Sequence, residues 1–245
     1  MSIEQYTIAA IIIFAAYFIR GIAGFGSGLV AIPFLVLFAP LTFAVSLILL
    51  LDFAASLIIG GFDRKRVQWQ EVAWLIPFTI IGVYTGTKLL VTIPLVPLLI
   101  TLAVFIFFFA IRSLFNIHGE KTISKWWSIP ASFIGGIVGA LFGTNAPPYV
   151  IYLNHRIHDK TLLRATFSAL FVMDGIIRIG IFFLAGLLLS QTIWWSALGA
   201  IPVMLAALYV GGNFHTGLTQ VQITRIIGVL LLLSSISLLI KAINT

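Results

Sequence analysis

Long apolar segments separated by short polar loops run through the whole chain. Eight such segments can be drawn, at about residues 5–38, 43–62, 72–91, 94–115, 127–153, 163–188, 192–212 and 221–243. Most are close to the roughly 20 residues that an α-helix needs to cross a bilayer, and they do not alternate as membrane β-strands do. The pattern predicts an all-α polytopic membrane protein. The first and fifth segments are too long for one span, and glycines and prolines interrupt both.

The two interrupted segments carry the same sixteen-residue motif. Residues 18–33 read FIRGIAGFGSGLVAIP and residues 133–148 read FIGGIVGALFGTNAPP, with eight identical positions and no gap. A duplicated apolar segment that is broken by Gly and Pro in both halves of a chain is typical of the substrate site of a membrane transporter.

Similarity between the two halves extends beyond this motif. The further matched pairs are Ser46 with Ser168, Asp52 with Asp174, Pro77 with Pro202, Tyr84 with Tyr209 and Gly86 with Gly211. Paired Asp, Pro and Gly residues are harder to obtain by chance in apolar sequence than paired Leu or Ile. We therefore expect two structural repeats, residues 1–118 and 119–245, which together form one transmembrane domain.

The charges in the loops indicate how the chain threads the membrane. If the first and fifth segments each cross once, the loop Lys and Arg residues divide seven against five between the two sides. If both segments fold back as hairpins, they divide ten against two, as expected when one side is the cytoplasm. We adopt the hairpins, which turn the eight segments into up to ten helices and make the two halves inverted repeats.

This threading makes specific predictions for loops and breaks. The basic loops 63–66, 112–125 and 155–164 are expected in the cytoplasm. The residues expected to break the hairpins are Gly21, Pro33, Gly136, Pro147 and Pro148.

Composition supports a chain that lies in lipid. Of the 245 residues, 61% are hydrophobic and only 9% are charged, against roughly a quarter in soluble domains. The absence of cysteine excludes disulfides, thiolate metal ligands and cysteine nucleophiles. The formal net charge of +7 sits in short loops between spans, so it indicates no nucleic-acid partner. The expected partners are the lipid bilayer and a small anionic substrate, and the Gly-rich helix faces fit either internal packing or a homodimer.

Four ionisable residues inside the apolar segments are the first candidates for chemistry. They are Arg20, Asp52, Asp174 and Arg178. A charged residue costs about 2.5–3.5 kcal/mol at the centre of a membrane helix, so such residues are functional candidates by default. Arginine binds oxyanions through a planar fork of donors, and the N-terminal ends of broken helices attract anions. The sequence therefore predicts an anion-binding site at the two breaks.

The predicted site combines the two arginines with the small and polar residues of the breaks. The substrate-binding set is Arg20, Gly24, Gly26, Ser27, Gly28, Gly139, Gly143, Thr144, Asn145 and Arg178. Asp52 and Asp174 are predicted to couple ions, by carrying protons or by balancing the arginines when the site is empty. Three structural alternatives stay open. Asp174 and Arg178 could form only an i,i+4 ion pair within one helix. Asp52 could pair with Arg20 to hold two helices together, or Arg20 could snorkel to the membrane interface.

No cofactor or metal site is predicted. His155, His158 and Asp159 form a sparse cluster, but their loop is rich in cations and is interpreted as a solvated cytoplasmic loop. The run GFGSG follows no strand and lies in a membrane segment, so it is not a dinucleotide fingerprint. The nucleotide-binding motif GxxxxGK[ST] does not occur either. Active transport would therefore draw on an ion gradient or on the membrane potential.

The opening RGIAGFGSGLVAIP, its second copy GGIVGALFGTNAPP and the aspartate that follows each resemble the TauE/SafE family of sulfite and organosulfonate exporters. The resemblance covers essentially the whole chain. It implies transport of small sulfur-containing anions, such as sulfite, sulfoacetate or other organosulfonates, across the bacterial inner membrane. One departure is that Gly135 stands in the second copy where Arg20 stands in the first. If the family needs a cation in both halves, Arg178 has to supply the second.

Three functions are compatible with these features. The favoured one is a secondary transporter for small anions that works by alternating access and is coupled to ions or protons. The second is a passive anion channel. The third is an intramembrane enzyme acting on a lipid phosphate, which needs a base or nucleophile beside the arginines. Asp174 could serve there, but no Glu and no His lies deep in a segment. We therefore expect a protein that is not an enzyme.

Overall fold

A computed structural model describes residues 3–24, 26–59, 64–115, 123–144, 146–213 and 220–243. In this part of the chain the regular structure is helical, as the apolar pattern predicts. The α-helices are α1 (Ile3–Ala23), α2 (Ser27–Leu35), α3 (Leu41–Ile59), α4 (Trp69–Thr92), α5 (Leu95–Phe115), α6 (Ser128–Phe142), α7 (Ala146–Arg156), α8 (Lys160–Leu184), α9 (Gln191–Asn213) and α10 (Gln220–Ile243). The predicted all-α polytopic fold is confirmed.

Each interrupted segment forms a hairpin of two helices. α1 packs against α2 and α6 packs against α7, with the chain reversing between the end of the first helix and the start of the second in each pair. The chain therefore reverses a few residues away from the residues that were expected to break the helices. Gly21 and Pro33 lie inside α1 and α2, Gly136 lies inside α6, and Pro147 and Pro148 lie in the first turn of α7. Proline is tolerated in a first turn because the N–H it lacks has no intrahelical acceptor there.

Gly21 and Gly136 permit close helix packing instead of breaking the chain. A Cβ atom on Gly21 would lie 2.9 Å from the carbonyl oxygen of Leu208 in α9. A Cβ atom on Gly136 would lie 2.7 Å from the carbonyl oxygen of Thr79 in α4. Backbones this close leave no room for a side chain, which is the role of small residues between membrane helices.

The first hairpin opens to the face of the molecule that holds the start of α1, here called the N-terminal face. Lys241, at the end of α10, donates a hydrogen bond to the carbonyl oxygen of Val36, directly after α2. An apolar cavity of about 240 Å³ lies on this face between the beginnings of α1, α3 and α9 and the end of α2.

The second hairpin opens to the opposite face, here called the basic face because the basic loops join its helices. Arg156, at the end of α7, donates to Glu71 at the start of α4 at 2.7 Å and to the carbonyl oxygen of Ile123, ahead of α6, at 3.2 Å. Tyr152 donates to the same carboxylate at 2.5 Å. The two hairpins thus open to opposite faces, which makes the repeats inverted.

Helices of the two halves pack crosswise. α1 packs on α9 and α4 on α6, while α3 packs on α8 and α5 on α10. α1–α5 correspond in order to α6–α10. A pseudo-two-fold axis that relates the two halves therefore exchanges the α1–α9 contact with the α4–α6 contact. The same axis passes through the α3–α8 and α5–α10 contacts, in which each helix packs on its own counterpart. This is the inverted-repeat architecture in which transporters bind their substrates between the repeats.

The outer surface of the helices suits lipid. Within the described residues, five helical stretches are long and apolar enough by themselves to cross a membrane: Glu4–Ile22, Leu41–Ile58, Trp69–Thr92, Thr161–Leu184 and Gln191–Asn213. Large apolar side chains such as Phe108, Leu184 and Tyr209 are more than two-thirds exposed, as expected where the neighbour is hydrocarbon rather than water.

The hairpin threading predicts which positions face each aqueous phase. Ser190, between α8 and α9, lies at the N-terminal face, and His158, between α7 and α8, lies at the basic face; both are exposed. In a chain without native cysteine, Ser190→Cys should react with an impermeant thiol reagent in intact cells. His158→Cys should react only after the membrane is opened. The reverse pattern would show that the basic face is not cytoplasmic.

Candidate functional site

The first break turns the chain with backbone angles that favour glycine. Gly24, at φ 84°, donates its N–H to the carbonyl oxygen of Arg20 at 2.7 Å and ends α1. Gly26, at φ 97°, stands immediately before α2, which begins at Ser27. The first N–H groups of a helix have no acceptor within it and carry partial positive charge. The start of α2 therefore presents donors at the break.

The two breaks touch each other near the pseudo-two-fold axis. Gly143, at φ 61°, ends α6 by donating its N–H to the carbonyl oxygen of Gly139 at 2.9 Å. A Cβ atom on Gly28 would overlap the carbonyl oxygen of Gly143 and would lie 3.0 Å from its carbonyl carbon. Residues 28 and 143 are matched positions of the motif, so equivalent points of the two halves meet.

Arg20 is buried and connects α1 to α2 and α3. Its Nη1 donates to Asp52 Oδ1 at 2.5 Å and to Ser27 Oγ at 3.2 Å. Its Nη2 donates to Ser56 Oγ at 2.8 Å and to the carbonyl oxygen of Asp52 at 3.3 Å. The guanidinium carbon lies 5.9 Å from the ring centre of Tyr17, within cation–π range. Arg20 is only 6% exposed, so it does not snorkel to the interface.

Arg178 is held by its own helix and by α6. Its Nε donates to Asp174 Oδ2 at 2.7 Å, four residues earlier in α8, and its Nη1 donates to the carbonyl oxygen of Gly139 at 3.1 Å. Tyr149 of α7 donates to Asp174 Oδ1 at 3.4 Å and shares a hydrogen bond of 2.8 Å with Thr79. Asp174 is fully buried, so the pair is shielded from water.

The two halves place their arginines on different helices. Arg178 stands four residues after Asp174, where the first half has Ser56 four residues after Asp52. Conversely, Gly135 occupies the position matched to Arg20, and a Cβ atom there would lie 3.0 Å from the ring of Tyr149. Each half thus supplies one cation, the first from α1 and the second from α8. Arg178 is therefore placed to supply the cation that the second copy of the motif lacks at Gly135.

A small cavity joins the two breaks to both arginines. Residues of both halves line it: Arg20, Gly26, Ser27, Gly28, Asp52, Phe53, Ser56, Gly143, Thr144, Phe171, Gly175 and Arg178. Seven of the ten residues predicted to bind substrate are among them. Gly24 and Gly139 do not line the cavity; Gly24 closes α1 and Gly139 anchors Arg178 through its carbonyl group. Asn145 lies outside the described residues.

Several residues of this site were not predicted from the sequence. Phe53, Ser56, Phe171 and Gly175 line the cavity. Ser56 carried a usable signal, because it follows Asp52 at the same spacing as Arg178 follows Asp174. Tyr17 and Tyr149 each donate to one of the two aspartates but occupy unmatched positions of the repeat, so the duplication could not reveal them.

The chemistry of the cavity suits a small anion. Two guanidinium groups, the hydroxyl groups of Ser27, Ser56 and Thr144 and the start of α2 supply donors. Each arginine forms an ion pair with one aspartate, so the four formal charges sum to zero. Within the part of the chain that the structure describes, no group of three or more His, Asp or Glu residues is placed to hold a metal ion.

Comparisons with known proteins agree with this architecture. The family described as Sulfite exporter TauE/SafE matches residues 9–238. The chain is also similar to the probable inner membrane transporter protein TsaS of Comamonas testosteroni, with 25% identity over 195 residues, which cover 78% of this chain and 81% of that protein. No solved structure matches the chain.

Proposed function

The chain belongs to the sulfite exporter TauE/SafE family, and from this premise we propose that it is a secondary transporter of small sulfur-containing anions. The family match and the similarity to the Comamonas testosteroni transporter both indicate a multi-pass transporter of the bacterial inner membrane rather than an enzyme. The substrates proposed are sulfite, sulfoacetate and other organosulfonates, and the coupling proposed is to ions or protons by alternating access.

One observation carries the substrate class. Arg20 and Arg178, two buried side chains from different halves and different helices, line the same cavity together with both helix breaks. A sulfonate or sulfite ion presents three oxygens around one sulfur atom, and planar guanidinium forks donate two parallel hydrogen bonds to such groups. Arg20 also keeps one unused donor, since its buried Nε has no hydrogen-bond partner within the described residues.

A difference between the two faces supports alternating access. On the basic face, Glu71 binds Tyr152 and Arg156 and ties α4 to the end of α7. The spacing in sequence between the matched prolines Pro77 and Pro202 also pairs Glu71 with Ser196. Ser196 lines the apolar cavity on the N-terminal face. Equivalent regions of the two halves are thus closed by polar contacts on one face and separated by a cavity on the other. Exchange of these two states would open the central site to each side in turn.

Uptake into liposomes tests this function. Purified protein should take up labelled sulfite in a saturable way, sulfonates should compete with it, and an ion or pH gradient should drive accumulation. Competition by sulfate and thiosulfate shows how selective the site is among small anions. Flux that no gradient can drive uphill would favour a passive channel. Folded protein that moves no sulfur anion would remove the substrate class, and carboxylates would be the next panel.

A further inference from the structure

The two matched aspartates lie in different surroundings. Asp52 lines the central cavity with a side chain that is 14% exposed, whereas the side chain of Asp174 is 0% exposed and does not line it. Asp174 pairs with Arg178 of its own helix, while Asp52 pairs with Arg20 of a different helix. A pair within one helix persists when helices move, and a pair between helices can separate. The two carboxylates are therefore suited to different tasks.

Three donors from two helices converge on a single oxygen of Asp52. Its Oδ1 accepts hydrogen bonds from Arg20 Nη1 at 2.5 Å, from Ser27 Oγ at 2.6 Å and from Tyr17 OH at 2.7 Å. Arg20 and Ser27 are also the first-half groups best suited to hold the anion. The carboxylate oxygen is thus held as the oxygen of a bound oxyanion would be held.

The cavity leaves too little room for a substrate beside this carboxylate. About 30 Å³ is open to water-sized molecules, which is space for about two of them at roughly 10–15 Å³ each. A sulfonate group has one sulfur and three oxygen atoms. It can reach Arg20 only if Asp52 gives up its donors.

We propose that Asp52 occupies the anion position at Arg20, and that the substrate replaces it there while a proton neutralises the displaced carboxylate. This inference rests on the proposed function. With a monovalent anion bound, an ionised Asp52 would leave one uncompensated negative charge in a buried site, which is strongly unfavourable. One proton taken up by Asp52 restores neutrality. Asp174 remains the fixed counter-ion of Arg178 throughout.

Few other ionisable groups face Asp52. Tyr17 and Arg20 face it from α1, and Arg178 of α8, paired with Asp174, lines the same cavity. The other helices that pack on α3 are α2, α6 and α9. α2 and α6 contain no ionisable residue, and the only one in α9 is Tyr209, which is 75% exposed. Loss of pH dependence in an Asp52 variant can therefore be assigned to Asp52.

Binding of methanesulfonate to purified protein tests this inference, because the charge of this anion does not change between acidic and neutral pH. In the unmodified protein, the dissociation constant should rise about tenfold for each pH unit over which one proton is bound together with the anion. Asp52→Asn should bind at neutral pH at least tenfold more tightly than the unmodified protein, with no pH dependence. Asp174→Asn should keep the pH dependence of the unmodified protein, whatever its affinity.

Asp159→Asn is the control for removal of a carboxylate, because the exposed Asp159 caps the start of α8 and asparagine caps equally well. An Asp52→Asn variant that binds more weakly, or that keeps the pH dependence, would overturn the inference and leave the transport function standing. If the unmodified protein binds no sulfur anion, the proposed substrate class fails. In that case Asp52→Asn should still bind nitrate, because Arg20 then lacks its counter-ion. Failure to bind nitrate would overturn the inference as well.

Discussion

Replacing Arg20 by alanine is expected to abolish transport and to weaken anion binding by about thirtyfold or more. The side chain supplies the cavity with a full charge and with donors from both terminal nitrogens. Loss of one partner of a buried, charged hydrogen-bonded pair costs about 2–5 kcal/mol, and each 1.4 kcal/mol corresponds to a tenfold change in affinity. Binding and uptake of a labelled sulfonate measure the effect.

Two further variants separate the loss of an anion site from a loss of folding. Arg20→Ala leaves Asp52 without its cation, although the carboxylate keeps Tyr17 and Ser27 as donors. The double variant Arg20→Ala with Asp52→Asn removes both charges and should fold, yet bind no anion. Lys88→Ala, which removes an exposed cation near the end of α4, should transport normally. Normal transport by the double variant would remove Arg20 from the site.

The role of Arg178 has to be tested with a different set of variants. Its partner Asp174 is fully buried, so Arg178→Ala alone leaves an uncompensated charge and is expected to destabilise the fold. A defect in that variant would not show whether Arg178 touches the anion. Removing both charges together, with Arg178→Gln and Asp174→Asn, keeps the site neutral and reports on anion binding.

Gly28→Ala is expected to stop transport and to lower stability, because the added methyl group would overlap the carbonyl oxygen of Gly143. The contact is between two backbones, so no side chain can rotate away, and the two breaks must move apart. Inserting a methyl group into a packed interior costs about 1–3 kcal/mol. Transport assays and the midpoint of thermal unfolding in detergent measure the two effects.

Another glycine provides a matched control. Gly180 in α8 has no neighbouring atom within 4 Å of an added Cβ. Gly180→Ala should therefore transport normally and unfold at the same temperature or slightly higher. If Gly28→Ala transports as well as Gly180→Ala, the breaks do not need to touch for function.

Much of the fold could be predicted from local features of the sequence. The length and continuity of the apolar runs indicate membrane helices because lipid requires every backbone group to be paired within the segment. The motif at residues 18–33 and its copy show where helices break. The loop charges select the hairpin threading, and the helix ends confirm that the two hairpins open to opposite faces. Arg20, Ser27 and Gly143 could be named as site residues for the same reason, since they lie in or beside a break.

The roles of individual residues depended on the tertiary structure. Matched positions do not imply matched roles: Asp52 faces the cavity and Asp174 does not. Gly21 and Gly136 appear in the motif as candidates for a break, yet they lie where α9 and α4 approach. Tyr17 and Tyr149 have no common position in the repeat.

A helical membrane protein with two broken helices in inverted halves, and with polar groups suited to an anion, could be inferred without any structure. Apolar length, glycine and proline positions and loop charge are properties of short stretches of chain. The packing of the helices, by contrast, brings three of the four charged residues to one cavity and keeps Asp174 away from it. Whether a side chain meets a cavity, a backbone or lipid depends on how its helix is rotated against helices more than a hundred residues away.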